Sequence, residues 1–431
     1  MEERRRFPPE FALSSMVLLL IQMAVVMLVT LTCGWLARKV GQSRVIGEIV
    51  GGILLGPSVL GRIAPHGSQV LFPQSSFASF EMLSTVGLIL FLFLIGMELD
   101  YEQLYRQRRT AVVASATSIL LPFSMGALLA HSLRIRFAPH GIGSVPFVLF
   151  LGIAMSITAF PVLARILEER GLQSTMLGTT AILCAAVDDV VAWLLLAVAL
   201  ALLGHDGGSS SLPLRLAGLA AYLVVMLGVV RPAAARMAKR RSSDLLSFEL
   251  LGIVVALTLL SAAATQAIGV HPLFGAFLAG VCFPRVPEWQ AALRGRLDMI
   301  VSVLLLPLFF ALTGMRTRLD LLNGRAMWLW AGIVLVAAVI GKMGGAALAA
   351  RWSGLSWRNA GALGALLNTR GLVELVVLNI AYNAGVFSST LFTMMVVMAL
   401  ATTVSTTPLL NLLGIEDQSK AKPMVMETKA A

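Results

Sequence analysis

Long apolar runs follow one another along almost the whole chain, and this pattern constrains the fold more than any other feature. Most runs have about 17–25 residues, the length that crosses a bilayer core of about 30 Å as a helix. Hydrophobic residues make up 58% of the 431 residues and charged residues only 13%, with a mean hydropathy of +0.87. This composition excludes an ordinary soluble domain and predicts an all-α polytopic membrane protein.

Thirteen runs predict thirteen membrane spans and place the termini on opposite sides of the membrane. The connectors after the odd-numbered spans, together with the C-terminus, carry about twice as many Lys and Arg as the other side, so the C-terminus is predicted to be cytoplasmic and the N-terminus external. The predicted spans are residues 11–36, 45–61, 80–99, 111–130, 146–169, 176–202, 213–230, 249–268, 272–284, 300–315, 327–349, 359–381 and 390–413.

Charge and cysteine usage narrow the function classes further. The formal net charge of +11 does not indicate a nucleic-acid partner, because Lys and Arg lie in the short connectors between apolar runs. The spacing of the cysteines suits neither a zinc site nor a disulfide framework, and we expect no cofactor. The cysteines are Cys33, Cys184 and Cys282.

Two adjacent carboxylates, Asp188 and Asp189, lie in the middle of the sixth run. An ionised Asp at the bilayer centre costs about 2.5–3.5 kcal/mol, so a pair there requires a compensating function. Lys342 lies equally deep in the eleventh run and is a candidate partner that neutralises Asp188. An intramembrane aspartyl protease is a poor alternative, because its carboxylates face each other from two helices. We therefore predict an ion or proton pathway and no enzyme activity.

Asp189 is the stronger candidate for the ion-binding residue. Ala185, Ala186 and Ala192 lie on its helical face, which leaves room for a close helix or for water. Burial disfavours the ionised form of a carboxylate and a nearby cation favours it, so H⁺ and a metal cation can compete for Asp189. That competition is the chemistry of exchange. For Asp188 a structural reading stays open, in which it only pairs with Lys342.

The fifth span is predicted to break near Pro161. Proline lacks an N–H and clashes with the carbonyl four residues earlier, here that of Ile157. Freed carbonyls, with the hydroxyls of Ser156 and Thr158 beside them, are hard oxygen ligands suited to an alkali cation. The alternative is an ordinary proline kink that a neighbouring helix satisfies.

The twelfth span is predicted to break at Gly371. Asn368 and Thr369 are candidates to satisfy the loosened backbone there with their side chains. Arg370 and Glu374 are four residues apart and share one helical face if the helix continues. They either form a structural pair that fixes a broken helix or contact the ion directly, and the sequence favours the structural pair.

Three long motifs resemble signatures of the monovalent cation:proton antiporter-2 family, which includes NapA-like, Kef-type and plant cation/proton exchangers. Two shorter motifs, Val45–Pro57 and Phe93–Leu99, add to the resemblance, which covers roughly residues 15–413. The three long motifs are SITAFPVLARIL at Ser156–Leu167, VDDVVAW at Val187–Trp193 and LNTRGLVEL at Leu367–Leu375.

The resemblance implies an inverted-repeat antiporter fold of about thirteen helices, in which broken spans 5 and 12 cross. It implies that Asp189 binds the ion and that Lys342 pairs with Asp188. It also implies a homodimer in a cell membrane. The implied regions are a transmembrane domain of residues 1–413, core helices at about 111–202 and 327–413, dimerisation helices at about 11–99 and 249–315, a linker helix at about 213–230 and a cytoplasmic tail of 414–431.

These features together predict a monovalent cation/H⁺ antiporter that works by alternating access in a bacterial inner or plasma membrane and serves pH homeostasis. A cation channel and a non-transporting ion sensor of the same fold are the alternatives. Na⁺ and K⁺ are not distinguished, because hydroxyl, carbonyl and carboxylate oxygens bind both. Plant exchangers that share the motif usually have Asn where this chain has Asp188, so their ion preference transfers poorly.

Overall fold

The computed structural model describes residues 15–98, 108–139, 141–172, 175–203, 212–240 and 248–415, and these ranges contain helices and no strand. The helices of the first half are α1 Ser15–Lys39, α2 Arg44–Leu55, α3 Leu60–Ile63, α4 Pro65–Leu71, α5 Phe77–Glu98, α6 Arg108–Phe137, α7 Ser144–Ser156, α8 Phe160–Glu169 and α9 Met176–Leu203. Those of the second half are α10 Leu212–Val225, α11 Arg231–Arg240, α12 Phe248–Ile268, α13 Pro272–Cys282, α14 Pro287–Ile300, α15 Leu306–Arg316, α16 Arg325–Val339, α17 Gly345–Trp352, α18 Trp357–Leu367, α19 Leu372–Asn383 and α20 Ser389–Leu412.

Three π-helical turns join helices into longer rods, at Met226–Val230, Val301–Leu305 and Ile340–Gly344. Within the described ranges, ten helical segments are long and apolar enough to cross a membrane, and the bent pair α18 and α19 makes an eleventh. The segments α7 and α13 are apolar but shorter. The predicted fold class, an all-α polytopic membrane protein, is confirmed, whereas the count of thirteen spans stays a prediction.

Two helical rods extend beyond their predicted spans. The tenth span was expected to begin near residue 300, but the helical rod begins at Pro287. The seventh was expected to end near residue 230, and the rod continues through the basic helix α11 to Arg240. Hydropathy marks where the bilayer ends, whereas a helix needs only satisfied backbone groups and continues into water.

Two apolar segments are interrupted near their middles. Helix α7 ends at Ser156 and α8 begins at Phe160, so Pro161 is the second residue of α8, where a missing N–H breaks no helical hydrogen bond. Helices α18 and α19 are bent by 42° at residues 368–371. The two breaks touch, since the Ala159 N–H donates to the Thr369 carbonyl at 2.9 Å. The predicted breaks are therefore present, and they meet.

The helices pack in two groups. In what we name the scaffold group, α2 packs against α1 and α15, α5 against α13 and α15, and α12 against α13. In the core group, α6 packs against α7, α9 and α17, α9 against α18, and α20 against α16 and α19. Helix α10 touches α9 and α12 and so contacts both groups. Whether these groups are a moving core and a dimerisation domain stays a prediction.

Glycines set the closest approaches inside the scaffold group. A Cβ on Gly96 of α5 would collide with the Phe277 carbonyl of α13, and one on Gly280 of α13 would collide with the Phe93 carbonyl. Small residues allow membrane helices to pack backbone against backbone. The helices α5 and α13 therefore form a tight pair.

Candidate ion-binding site

Asp188 accepts three hydrogen bonds through one carboxylate oxygen. Its Oδ2 lies 2.6 Å from Lys342 Nζ, 2.7 Å from Thr158 Oγ1 and 3.3 Å from Ser118 Oγ. Asp188 is 1% exposed and Lys342 is fully buried. A buried charge is tolerated when it is paired and hydrogen-bonded, and Asp188 meets both conditions.

Lys342 joins three segments of the core group. Its ammonium donates to the Ser118 carbonyl of α6 at 3.1 Å, to the Ser156 carbonyl at the end of α7, and to Asp188 of α9. The three N–H donors of an ammonium thus all have acceptors. A Cβ on Gly341 would lie 2.8 Å from Pro122 Cα, so glycine at this π turn allows the backbone to approach α6. π-helical turns of this kind often occur at functional sites.

Asp189 has none of the support that Asp188 receives. It is 2% exposed, and neither of its carboxylate oxygens has a hydrogen-bond partner in the part of the chain that the structure describes. The alanines of its helical face are buried as well: Ala185, Ala186 and Ala192. An uncompensated buried carboxylate costs several kcal/mol. Asp189 therefore requires a proton or a bound cation.

The first break supplies one hydroxyl directly to the acidic pair. Thr158 Oγ1 lies 2.7 Å from Asp188 Oδ2 and 3.0 Å from the Leu367 carbonyl of α18, and its single proton serves one of them at a time. The Ser156 hydroxyl instead donates to the Ile153 carbonyl within its own helix at 2.9 Å. Thr158 thus connects both breaks to Asp188, while Ser156 contributes its carbonyl to Lys342.

Arg370 and Glu374 form a buried clamp between the breaks. The guanidinium donates to the carbonyls of Ala154 and Met155 at 2.8 and 2.7 Å, and its distance to Glu374 Oε1 is 3.2 Å. A cation at the C-terminus of α7 and an acid in the first turn of α19 both suit the helix dipoles. This geometry favours the structural reading of the pair.

The loosened backbone of the second break is satisfied by α20, a role that the sequence assigned to Asn368 and Thr369. Thr403 Oγ1 accepts from the Arg370 N–H at 2.9 Å and lies 2.6 Å from the Arg370 carbonyl. The Thr369 hydroxyl lies 3.2 Å from that of Thr406. Among the described residues, neither side-chain amide atom of the buried Asn368 has a partner. That expectation for Asn368 was wrong, because the Thr403 hydroxyl of α20 already bonds to this backbone.

A cavity of about 610 Å³ lies between the scaffold and core groups and reaches the ends of both breaks. From the scaffold side it is lined by Glu48 of α2 and by Asp298 of α14, a helix that packs against α5. From the core it is lined by Phe160 and Leu372, the first residues of α8 and α19. The breaks are therefore approached from one end of the molecule. No group of three or more His, Cys, Asp and Glu comes together among the described residues.

Comparison with known proteins shows which family the chain belongs to. A family model described as sodium/hydrogen exchanger, transmembrane, matches residues 27–412. The chain belongs to the sodium/hydrogen exchanger family. The family is one of membrane transporters, so its members are integral membrane proteins rather than enzymes and require no cofactor.

Curated relatives cover most of the chain. It is 39% identical over 398 residues to the Na(+)/H(+) antiporter NhaS4 of Synechocystis, covering 92% of this chain and 97% of that protein. It is 42% identical over 398 residues to the cation/H(+) antiporter 17 of Arabidopsis thaliana, covering 91% of this chain and 48% of the plant protein. It is 33% identical over 383 residues to the K(+)/H(+) antiporter 1 of Saccharomyces cerevisiae, covering 86% of this chain and 43% of the yeast protein. The chain thus spans less than half the length of the plant and yeast proteins.

The fold is also found among solved structures. The sodium proton antiporter MjNhaP1 of Methanocaldococcus jannaschii superposes with a TM-score of 0.64 at 16% identity, covering 93% of this chain and 100% of that chain. At this identity the likeness establishes the fold alone. The antiporter fold that the motifs implied is therefore confirmed.

Proposed function

We propose that this protein exchanges a monovalent cation, Na⁺ or K⁺, for H⁺ by alternating access, and that both ions compete for Asp189. The observation that carries the proposal is the buried Asp189 carboxylate, which lacks a partner among the described residues. The names of the similar proteins, which include Na⁺/H⁺, cation/H⁺ and K⁺/H⁺ antiporters, support the same chemistry.

The charges around the site explain why one ion must replace the other. Lys342 neutralises Asp188 and Arg370 neutralises Glu374, and both pairs are fully buried. Of the three acids in this buried cluster, Asp189 is then the one whose carboxylate has no partner among the described residues. Its negative charge can be neutralised by a proton or by one monovalent cation, and binding both would leave a positive charge in the apolar interior. Competition at Asp189 therefore couples the two fluxes.

Oxygen ligands for the cation are available in the buried cluster around the acidic pair, where Thr158 contacts Asp188. We assign the primary ligand to the Asp189 carboxylate, with Asp188 and the hydroxyls of Thr158 and Ser156 around it. A hydroxyl that donates one hydrogen bond keeps acceptor lone pairs, so Thr158 and Ser156 can still bind a cation. Such hard oxygens bind both Na⁺ and K⁺, which agrees with relatives named for either ion.

The cavity supports alternating access. It reaches Phe160 and Leu372 from the end of the molecule where Ser43 and Arg44 lie, so we infer that in this conformation the breaks communicate with that side of the membrane. We propose that the core helices, at about 111–202 and 327–413, move against the dimerisation helices, at about 11–99 and 249–315, with a linker helix at about 213–230. The connector between α1 and α2 lies at the cavity mouth, and by the predicted orientation this is the cytoplasmic side.

We further propose that the protein is a homodimer in a bacterial plasma membrane, with an external N-terminus, a cytoplasmic tail at residues 414–431 and a role in pH homeostasis. Symmetric pairs are the commonest closed assemblies. Crosslinking or native mass spectrometry in lipid would detect the dimer. Exclusive recovery of monomer would contradict it.

The deciding experiment uses purified protein in liposomes that contain a pH dye. Na⁺, K⁺ and Li⁺ are added in turn, and we expect the transported ion to drive proton movement. If H⁺ and the cation compete, lowering the pH by one unit raises the apparent KM for the cation by up to about tenfold and leaves the maximal rate unchanged. Cation conductance without proton coupling indicates a channel. Cation binding without flux indicates a sensor.

A further inference from the structure

Five side chains join the scaffold group to the core group by polar contacts, and we name this set the latch. Arg316 of α15 donates to Asn379 Oδ1 of α19 at 2.8 Å and to Glu81 Oε2 of α5 at 3.0 Å. Asn379 Nδ2 donates to Thr313 Oγ1 of α15 at 3.0 Å, and Asn383 Nδ2 donates to Glu81 Oε1 at 2.5 Å. The Arg316 guanidinium also lies 5.8 Å from the ring centroid of Tyr382 on α19.

The latch lies at the end of the helices remote from the cavity. Helix α5 runs from Glu81 in the latch to Leu94 and Ile95, which line the cavity. Helix α15 has Phe310 at the cavity and Arg316 in the latch. Helix α19 begins at the cavity with Leu372 and reaches the latch at Asn379 and Asn383. The cavity that reaches the breaks therefore lies at one end, and polar contacts cross-connect the groups at the other end, where Arg316 and Tyr382 also line a second cavity of about 720 Å³.

We propose that Arg316 and Asn379 are positioning residues of the exchange cycle, which hold α19 against the scaffold in the state where the Asp189 site faces the cavity. This inference rests on the proposed function. Helix α19 is also the helix that carries Glu374 of the clamp, so a contact that holds α19 holds the second break. Opening the site to the opposite side requires the two groups to part at the latch.

The chemistry of the latch suits a reversible closure. Asn379 is 6% exposed and Thr313 is fully buried. Each keeps a bond to a carbonyl of its own helix, but the Asn379 side-chain oxygen has the Arg316 guanidinium as its donor only while the groups are together. Glu81 and Arg316 are partly exposed and can be hydrated after separation. Loss of a buried partner is expensive in the closed state only, so removing one partner shifts the equilibrium between the two states.

The first test compares the apparent affinity for the cation on the two sides of the membrane. Asn379→Leu and Arg316→Gln are each measured in oriented vesicles, and Arg318→Gln is the matched control. The Arg318 side chain pairs with Asp320, two residues away in the same connector, over 2.7 Å. If most molecules have the latch closed, weakening the latch changes the cavity-side KM little. A tenfold rise in the fraction of molecules with an open latch lowers the latch-side KM about tenfold.

A damaged protein loses maximal rate but does not gain affinity on one side, so this result separates positioning from a structural defect. The proposal is overturned if the latch-side KM of Asn379→Leu and of Arg316→Gln is the same as that of the Arg318→Gln control.

A second measurement is independent of transport. A Thr313→Cys reporter is placed in a protein whose native cysteines are replaced by Ala, and its reaction with a water-soluble maleimide is followed. Thr313 is fully buried while the latch is closed. Adding Arg316→Gln is expected to raise the labelling rate about tenfold, whereas Arg318→Gln leaves it unchanged.

The two measurements fail in different ways. If the labelling rates of Arg316→Gln and Arg318→Gln are the same, the proposal that the latch holds the two groups together is wrong. If the labelling rates differ but no variant and no parent protein exchanges ions, the latch stands as a hinge contact and the proposed antiport is wrong.

Discussion

Lys342 Nζ lies 2.6 Å from Asp188 Oδ2, and both side chains are completely buried. Asp189, the next residue, has no such partner among the described residues. Successive residues of a helix point about 100° apart, so one lysine serves one of the two acids. The adjacent carboxylates therefore have different environments, and this difference is the basis for proposing Asp189 as the ion-binding residue.

Asp189→Asn is expected to abolish cation-driven proton flux while the protein remains folded. The amide cannot change its charge, and it removes an uncompensated buried carboxylate, so stability is expected to be unchanged or higher. Dye-reported flux in liposomes and thermal unfolding in detergent measure the two quantities. Asp320→Asn is the control, because Asp320 pairs with Arg318 outside the site. Retained exchange in Asp189→Asn would sink the assignment.

Lys342→Met is expected to destabilise the protein by about 3–5 kcal/mol, because it leaves Asp188 buried without its counter-charge. The double variant Asp188→Asn/Lys342→Met removes both charges and should recover most of that loss. Thermal unfolding of the two single variants and the double variant forms a double-mutant cycle. Additive losses would show that the two residues do not interact as the 2.6 Å distance indicates.

Gly371→Ala is expected to lower the free energy of unfolding by about 1–3 kcal/mol, because it disturbs the place where the two breaks cross. The added Cβ would lie 2.8 Å from Val162 Cγ2 and 3.2 Å from Ala159 Cβ, so the first break has to move away. Gly332→Ala in α16 is the matched control, since its Cβ meets no atom within 4 Å. Alanine favours a helix over glycine, so this control should be neutral or slightly stabilising. Equal thermal stability of the two variants would contradict the close approach.

The sequence was informative where a residue conflicts with its surroundings. Asp188, Asp189 and Lys342 stand out because charge is costly in an apolar run, and Pro161 and Gly371 because they disfavour continuous helix. Ser118 and Thr403 were missed, since hydroxyl residues in membrane helices usually bond to their own backbone and raise no conflict.

The latch was also missed, for a different reason. Arg316 and Glu81 lie near the ends of predicted spans, where charged residues are ordinary. Their contacts join residues far apart in the sequence, such as the 63 positions between Arg316 and Asn379. Only the packing of the scaffold group against the core group brings them together, and no local pattern encodes that packing.

The exchange is expected to be electrogenic, with more H⁺ than cation moved per cycle. Asp189 loses one proton when the cation binds. If the cation also draws Asp188 away from Lys342, the ammonium loses its partner in an apolar site and can release a second proton. Two H⁺ then exchange for one monovalent cation. A net charge crosses the membrane, and 100 mV contributes about 2.3 kcal/mol per charge to the cycle.

The test is cation-driven proton flux in liposomes whose membrane potential is clamped at several values. Both the rate and the end point should depend on the potential. In Asp188→Asn the second titrating pair is absent, so exchange should become one-for-one and insensitive to potential. Lys342 keeps its hydrogen bonds to the carbonyls of Ser118 and Ser156 in that variant, which helps to preserve the fold. If flux through the unaltered protein ignores the potential, Asp188 and Lys342 form only a structural ion pair.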